Sequence, residues 1–503
     1  MSIPFGSLLL ALYYLVLSTL AFYGLHRLVL LAIYFWTRNR GPVRPDDPTH
    51  WPVVTVQLPV FNERYVATRL IDSVCRFDYP RDRLEIQVLD DSTDDTTARI
   101  AEAVRHYSEL GFDISHLHRT DRAGYKAGAL AAGCEVARGD LLAVFDADFV
   151  PEADFLRLTV PWFRQPDLGV VQARWEHVNR EYSLLTRAQA IFLDAHFLIE
   201  HLARNRAGHF FNFNGTAGIW RRQAIEDAGG WEHDTLTEDL DLSYRSQLAG
   251  WKFLFVPDVT APAELPVDVN AFKRQQFRWA KGSIQTARKL LGRVWRSDLS
   301  WSTKLEAFVH LTNNSAYPLM VLLSLLVFPA MLMRRDVDPQ ILLVVDLPLF
   351  CGATIAVLLY YLVSQAAARG TSEGSLRYMP VVMGLGIGLA VNNARAVVEG
   401  FYQRGGVFER TPKYRIEDRK DRWSRKRYRA RPDISVVAEG LFAIAFTISV
   451  VIAFMYEMWS SLPFLYLFLH GYWYIFVLTL FGDRWRRWFS RAVPGVAEPA
   501  SQG

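Results

Sequence analysis

The sequence predicts an α/β domain with a mixed, mainly parallel sheet, fused to an α-helical transmembrane bundle. Three segments, 2–25, 307–333 and 347–368, contain no charged residue, and each is long enough to cross a bilayer as a helix. Between the first two, residues 51–265 alternate short β-rich runs with helical patterns, which is typical of parallel α/β sheets. The 503 residues are 51% hydrophobic and 21% charged, which excludes a disordered or collagen-like chain.

Positive charge predicts how the membrane segments are oriented. Arg38, Arg40 and Arg44 follow the first apolar segment, and basic loops stay in the cytosol. We therefore expect the α/β domain to lie in the cytosol. The compact size, with no long insertions, is typical of a bacterial protein, so we expect a multi-pass protein of the cell (inner) membrane. Residues 404–431 hold twelve Lys/Arg against four Asp/Glu, which beside apolar spans indicates a cytosolic loop near anionic lipid rather than a nucleic-acid site.

The weaker apolar segment, 378–394, complicates the count of spans. It is rich in glycine, and if it crossed, the basic loop and the basic C-terminal segment would both lie outside. We therefore expect five true spans, with 378–394 re-entrant or interfacial. The four spans after the first are predicted near 311–333, 343–365, 436–458 and 462–482. The predicted organisation is a transmembrane helix (1–36), a cytosolic domain (50–268), interfacial amphipathic helices (269–300), transmembrane helices with the re-entrant segment (307–402), a basic loop (403–433), two transmembrane helices (434–483) and a cytosolic tail (484–503).

Acidic side chains follow two of the predicted strands. Asp90 and Asp91 come after one strand, and Asp146 and Asp148 after another. Because ligands of open α/β sheets bind at the carboxyl ends of the strands, these carboxylates indicate a site for a metal or a polar ligand. The spacing of the second pair directs both side chains the same way, which suits a divalent cation with a diphosphate. The predicted buried strands are 51–58, 84–89 and 141–145.

Two further clusters lie downstream. Thr237 is predicted to cap a helix and Glu238 to complement its dipole, whereas this structural interpretation explains Asp239 less well. Residues 272–291 form a basic amphipathic stretch, which is typical of a membrane-surface helix and also compatible with a binding site. That stretch carries Gln275, Arg278 and Trp279.

These motifs, in their order along the chain, resemble the inverting, processive family-2 glycosyltransferases, which include the cellulose, mannan and hyaluronan synthases. The matching motifs are PVFNE (59–63), DDST (90–93), KAGAL (126–130), DAD (146–148), TED (237–239) and QxxRW (275–279). Three more resemble the cellulose-synthase-like enzymes that make mannan or xyloglucan backbones: VQARW (171–175), FNGTAG (213–218) and AELP (263–266). Residues 408–413 resemble the family's gating loop, with Arg410 where valine is usual.

The resemblance implies a GT-A-type nucleotide-sugar domain and an inverting hexosyltransferase. It implies Asp239 as the general base, with Glu238 beside it in the catalytic pair, and Asp148 as the ligand of Mg²⁺, with Mn²⁺ as the alternative. The implied donor-binding residues are Pro59, Asn62, Glu63, Asp91, Lys126, Asp146 and Arg278. The implied acceptor-binding residues are Trp175, Asn214, Gly215, Thr216, Gln275 and Trp279. The implied gating-loop residues are Phe408, Thr411 and Lys413.

The function expected from this resemblance is a processive β-glycan synthase that passes its product across the membrane. UDP-glucose is ranked slightly ahead of GDP-mannose as the donor, and an accessory export subunit is one expected partner. The alternative is a non-processive enzyme that glycosylates a lipid such as diacylglycerol or ceramide. A catalytically dead scaffold or transporter is disfavoured, because every expected acidic and basic residue is present.

Overall fold

A seven-stranded sheet forms the centre of the α/β domain. The computed structural model describes residues 5–334, 339–418, 420–423, 426–428 and 433–492. The end of the predicted tail, 493–503, and parts of the predicted basic loop lie outside these described residues. Four of the strand pairs are parallel and two are antiparallel, so the predicted mixed, mainly parallel sheet is confirmed.

The strands lie in the spatial order β3-β2-β1-β4-β6-β5-β7. Their bounds are β1 Val54–Val60, β2 Leu84–Asp90, β3 Asp113–His118, β4 Leu141–Val144, β5 Leu168–His177, β6 Gly218–Arg221 and β7 Lys252–Ala263. The central strands β1, β2 and β4 are buried almost throughout, because parallel sheets are covered on both faces. Their carboxyl ends meet at one edge, and the predicted acidic residues follow them there.

Seventeen α-helices are present in the described residues. The first nine are α1 Phe5–Thr37, α2 Ala67–Val74, α3 Thr96–Glu109, α4 Tyr125–Val136, α5 Phe155–Thr159, α6 Leu184–Ala195, α7 Leu202–Arg206, α8 Arg222–Asp227 and α9 Glu238–Leu248. The others are α10 Val269–Arg296, α11 Trp301–Thr312, α12 Ala316–Met333, α13 Pro339–Arg369, α14 Met379–Gly388, α15 Ala390–Tyr402, α16 Ser435–Met455 and α17 Leu462–Ala492. A π-helical turn, His196–His201, joins α6 to α7.

Five helical stretches among the described residues are long and apolar enough to cross a membrane. They are Gly6–Thr37, Trp301–Met333, Pro348–Arg369, Ser435–Met455 and Trp459–Gly482. The second stretch begins ten residues before the predicted 311, because α11 joins α12 through a 3₁₀ turn, Asn313–Ser315. The segment predicted to be re-entrant forms α14 and α15, which are bent by 40° and become a sixth candidate if they cross as one broken span.

The α/β domain and the apolar helices share a hydrophobic core. Leu30 and Tyr34 of α1 and Tyr360 of α13 belong to the same buried cluster as Phe197 and Trp220 of the domain. Burial of apolar surface is the main favourable contribution to folding. The first apolar helix is therefore part of the domain's hydrophobic core.

The packing of α14 on α17 can be tested by adding one methyl group. A Cβ at Gly388 would lie 2.7 Å from both the Gly471 carbonyl oxygen and the Ile475 Cβ atom, whereas a Cβ at Gly386 meets nothing within 4 Å. We expect Gly388→Ala to lower the free energy of unfolding by about 1–3 kcal/mol, as overpacking does. Gly386→Ala is the matched control and is expected to leave the melting temperature in detergent unchanged or raise it. Equal melting temperatures for the two variants would contradict this packing.

Candidate active site

A polar cavity of about 170 Å³ opens at the carboxyl ends of the central strands. Most of the residues singled out from the sequence line it, although they come from distant parts of the chain. Only two of the predicted site residues, Asn62 and Thr216, are absent from its lining. The predicted residues that line it are Pro59, Glu63, Asp91, Lys126, Asp146, Asp148, Trp175, Asn214, Gly215, Glu238, Asp239, Gln275, Arg278, Trp279, Phe408, Thr411 and Lys413.

The carboxylates of Asp146 and Asp148 are each paired with a lysine. Lys126 on α4 contacts Asp146, and Lys413 of the predicted gating loop lies with its Nζ 2.6 Å from Asp148 Oδ2. Oxygen ligands such as carboxylates are the ones that Mg²⁺ and Mn²⁺ prefer. The Asp148 carboxylate is already paired with the positive charge of Lys413. Asp148 thus offers one carboxylate ligand for a divalent cation, beside which Lys413 supplies the positive charge in this structure.

The predicted catalytic pair lies at the start of α9. Asp239 Oδ1 accepts a hydrogen bond from the Leu240 amide at 2.8 Å, which holds its carboxylate at the helix N-terminus. Burial and the neighbouring Glu238 carboxylate raise the pKa of Asp239 to about 7, while Lys126 opposes the shift. A carboxyl group with a pKa near neutrality is suited to general-base chemistry.

Thr237 does not cap α9 with its side chain, which corrects the expectation from the sequence. Thr237 occupies the N-cap position, yet its hydroxyl makes no capping bond and lies 3.4 Å from the Thr286 hydroxyl of α10 instead. A Cβ at Gly282 would lie 2.5 Å from the Thr237 side chain. Tertiary packing on α10 has therefore replaced the local cap.

A glycine brings the 213–218 loop against the catalytic pair. Gly215 has φ +80°, and a Cβ there would lie 2.8 Å from Asp239 Oδ2. Its carbonyl oxygen accepts a hydrogen bond from Lys126 at 2.9 Å. Thr216 lies behind the cavity, where its hydroxyl accepts a hydrogen bond from the Asp146 backbone amide at 2.9 Å. Thr216 therefore supports the Asp146 backbone instead of lining the predicted acceptor site.

The two acidic residues at the end of β2, Asp90 and Asp91, contact different partners. Asp91 lines the cavity and is held by Arg119, whose Nε and Nη2 lie 2.8 and 2.6 Å from the two carboxylate oxygens. Asp90 turns away and contacts His116 and His118 of β3 at 3.0 and 3.2 Å. These three side chains are one of the groups in the described residues with ligand atoms close enough to hold a metal ion.

Asn62 organises the loop beside Asp91. The Asn62 backbone amide donates a hydrogen bond to the Ser92 hydroxyl at 2.8 Å. The Asn62 side-chain oxygen accepts a hydrogen bond from the Thr93 backbone amide at 2.8 Å. The positive φ of Asn62, 54°, is one that asparagine tolerates better than most residues. Asn62 therefore shapes the loop beside Asp91 from outside the cavity.

Residues 408–415 close the cavity through contacts that the sequence did not predict. The Glu264 carboxylate accepts hydrogen bonds from the backbone amides of Tyr414 and Arg415 at 2.9 and 2.7 Å. Arg410, the departure from the family pattern, lies 3.1 Å from Glu63. Burial raises the pKa of Glu63 to about 8, against the opposing charge of Arg410.

Arg119, Glu264 and the pairing of Glu63 with Arg410 were missed for different reasons. Arg119 directly follows β3, a strand that was not predicted. Glu264 belongs to the AELP motif, which was noticed for its resemblance without a role. The Glu63–Arg410 pair joins residues far apart in the chain, so no local pattern indicates it.

Aromatic rings border the other side of the cavity. Trp175 on β5 packs against Phe149 and Phe197, with ring centroids 5.4 Å away in each case. Gln275 and Trp279 reach the cavity from α10. Sugars stack their apolar faces on such rings, so this side suits an acceptor saccharide.

Comparisons with known proteins agree with this fold. Residues 52–282 match the family described as "Glycosyltransferase like family 2". The chain is 42% identical over 282 residues to glucomannan 4-beta-mannosyltransferase 2 of Arabidopsis thaliana, covering 54% of this chain and 53% of the relative. It is 44% identical over 268 residues to glucomannan 4-beta-mannosyltransferase 1 of Oryza sativa subsp. japonica, covering 51% of each.

A solved structure supports the fold. Mannosyltransferase PcManGT from Pyrobaculum calidifontis, in complex with GDP-Man and Mn²⁺, matches with a TM-score of 0.51 at 22% identity, over 77% of this chain and 99% of that one. Residues 52–282 thus match a family-2 glycosyltransferase domain, and the fold is GT-A-like. The predicted family resemblance is confirmed, and the curated relatives are glucomannan 4-beta-mannosyltransferases. The chain spans about half the length of the curated relatives it matches.

The charges around Asp239 predict opposite effects of two substitutions on its titration. Glu238→Gln removes a negative neighbour and is expected to lower the pKa of Asp239 below about 7. Lys126→Met removes the positive neighbour and is expected to raise it. Infrared titration of the protonated carboxyl band checks both, with Asp239→Asn as the spectral reference. Shifts in the same direction would contradict the electrostatic assignment.

Proposed function

We propose that this chain is a membrane-embedded, inverting β-mannosyltransferase that extends a β-linked glycan from GDP-mannose. The observation that carries the proposal is the cavity in which Asp239, with its raised pKa, lies near Asp146 and Asp148. The names of the relatives favour a mannosyl donor. UDP-glucose, ranked first from the sequence, therefore becomes the second choice.

Asp239 is the group placed to take the acceptor proton. As the acceptor oxygen forms its bond to the anomeric carbon, the bond from that carbon to the donor phosphate breaks on the opposite face. The proton passes to Asp239, and the nucleotide diphosphate leaves with the bonding electron pair. Lys126 and Arg278 supply positive charge to that leaving group. A divalent cation held at Asp148 would add further charge against the diphosphate.

The acceptor approaches between Trp175 and Trp279. The carbonyl of Gly215 and the side chain of Asn214 complete that side of the cavity, close to the Asp239 carboxylate. A sugar hydroxyl presented here lies next to the base, while the aromatic rings orient the ring face. Orientation of this kind supplies a large share of the rate acceleration in transfer reactions.

The apolar helices suit export of a hydrophilic product. Polar groups that are unsatisfied in a bilayer cost several kcal/mol each, so a glycan made at the membrane needs a protein-lined path. The C-terminal part of α15 packs on α10, with Lys281 Nζ 3.0 Å from Glu399. The loop that follows α15 therefore lies on the same side as the cavity, which supports a cytosolic site and export outward.

The donor and product are tested directly with full-length protein in detergent and Mn²⁺ or Mg²⁺. We offer radiolabelled GDP-mannose and UDP-glucose in parallel and expect polymer only from GDP-mannose, degraded by an endo-β-1,4-mannanase. Polymer from UDP-glucose would overturn the donor assignment. Label that partitions wholly into organic solvent would instead indicate a glycolipid product.

Asp239→Asn tests the base while keeping the size of the side chain. Because the amide cannot take a proton, we expect mannosyl transfer to fall by about 10²- to 10⁴-fold, with GDP affinity unchanged in calorimetry. Asp234→Asn is the matched control, since Asp234 pairs with Lys289 on the surface and does not line the cavity. Undiminished transfer by Asp239→Asn would exclude this residue as the base.

A further inference from the structure

The π-helical turn between α6 and α7 places two histidines together. In an α-helix, residues five apart point about 140° away from each other, because each residue turns the chain by about 100°. The i→i+5 bonding of a π-helix aligns them instead. His196 and His201 accordingly lie with their ring centroids 4.3 Å apart. π-Helical turns occur frequently at functional sites.

Both histidines hold the loop that forms one side of the cavity. His201 Nε2 donates to the Asn212 carbonyl oxygen at 3.0 Å. His196 Nε2 lies 2.9 Å from the side-chain nitrogen of Asn214. Asn214 lines the cavity, and the next residue, Gly215, packs against Asp239. We name Asn214 and Gly215 the acceptor wall.

Glu200 determines which nitrogen of His196 carries the proton. Its Oε2 lies 3.1 Å from His196 Nδ1, and a carboxylate can only accept a hydrogen bond. Nδ1 therefore carries the hydrogen, and the lone pair on Nε2 is free to accept the Asn214 amide. Burial and the nearby His201 and Arg204 hold the pKa of His196 well below its usual range, which keeps the ring neutral as this arrangement requires.

Glu200 is in turn held by the apolar helices. It contacts Arg27 of α1 and accepts a hydrogen bond from the Tyr360 hydroxyl of α13 at 2.9 Å. Arg204 lies 3.4 Å from its other oxygen. Buried ion pairs usually stabilise a fold no better than apolar residues of the same size. Stability alone therefore gives little reason for this network.

From these contacts we infer that His196, with its proton fixed by Glu200, is a positioning residue for the acceptor wall. It acts through Asn214 and touches neither donor nor reacting atoms. The inference rests on the proposed mannosyl transfer and deepens it. It also links the first membrane helix to acceptor binding, because Arg27 holds Glu200.

The test compares His196→Phe with His196→Gln in full-length protein. We expect His196→Phe to raise the KM for a β-linked manno-oligosaccharide acceptor about tenfold, since small misplacements at a reacting centre are costly. GDP affinity should stay unchanged in calorimetry. His196→Gln should restore most of the lost affinity, because its amide oxygen can accept the same hydrogen bond. His209→Phe is the matched control, since His209 contacts Thr303 and not the acceptor wall.

A double-mutant cycle with Asn214→Ala separates positioning from a general structural role. If His196 acts through Asn214, adding His196→Phe to Asn214→Ala changes the acceptor KM no further. An undiminished effect in that background, or an equal loss of GDP affinity, overturns the inference. So does a wild-type KM for His196→Phe in an enzyme that is active. Absence of transfer by the wild-type protein would instead overturn the proposed function, and this inference with it.

Discussion

Seven carboxylates line one small cavity, and the surrounding structure brings cations to several of them. Asp146, Asp148, Glu238 and Asp239 all line a space of about 170 Å³. Burial disfavours the charged form of a carboxyl group, and a like charge nearby disfavours it further, so burial and the neighbouring Glu238 raise the pKa of Asp239 to about 7. The compensating cations come from α4, α10 and the 408–415 segment. Segments that precede α12–α15 in the sequence and a segment that follows them must therefore pack together before the cavity is complete.

The α/β domain and the segment that follows α15 share contacts around this cavity. Lys413 lies against Asp148, and Glu264 accepts hydrogen bonds from the backbone amides of the two residues that follow Lys413. The 408–415 segment itself begins after α15, which packs along α10. Contacts of the apolar helices therefore reach the cavity by two routes, α10 and this segment. Through Glu200 and His196, α1 provides a third.

The residues with local signals were predicted well. Asp146 and Asp148 follow a buried strand at a spacing that gives both side chains one direction, so their place at the sheet edge follows from strand geometry. The apolar spans were predicted equally well, because a helix needs about 20 consecutive apolar residues to cross a bilayer. Thr237 shows the limit of such rules, since its sequence position predicts a cap and packing against α10 prevents one. Asp90 and Asp91 look alike in the sequence, and only the position of β3 directs one toward histidines and the other toward Arg119.

By itself, the sequence determined the family of the domain, its mainly parallel sheet and the acidic centre of its site. These depend on hydrophobic periodicity and on short motifs, both of which act over a few residues. The tertiary structure decided which cation meets which carboxylate, how the 408–415 segment is held, and how His196 reaches Asn214. Such pairs join residues tens to hundreds of positions apart, and their choice depends on distances and burial that arise only when the sheet, α10 and the apolar helices have packed together.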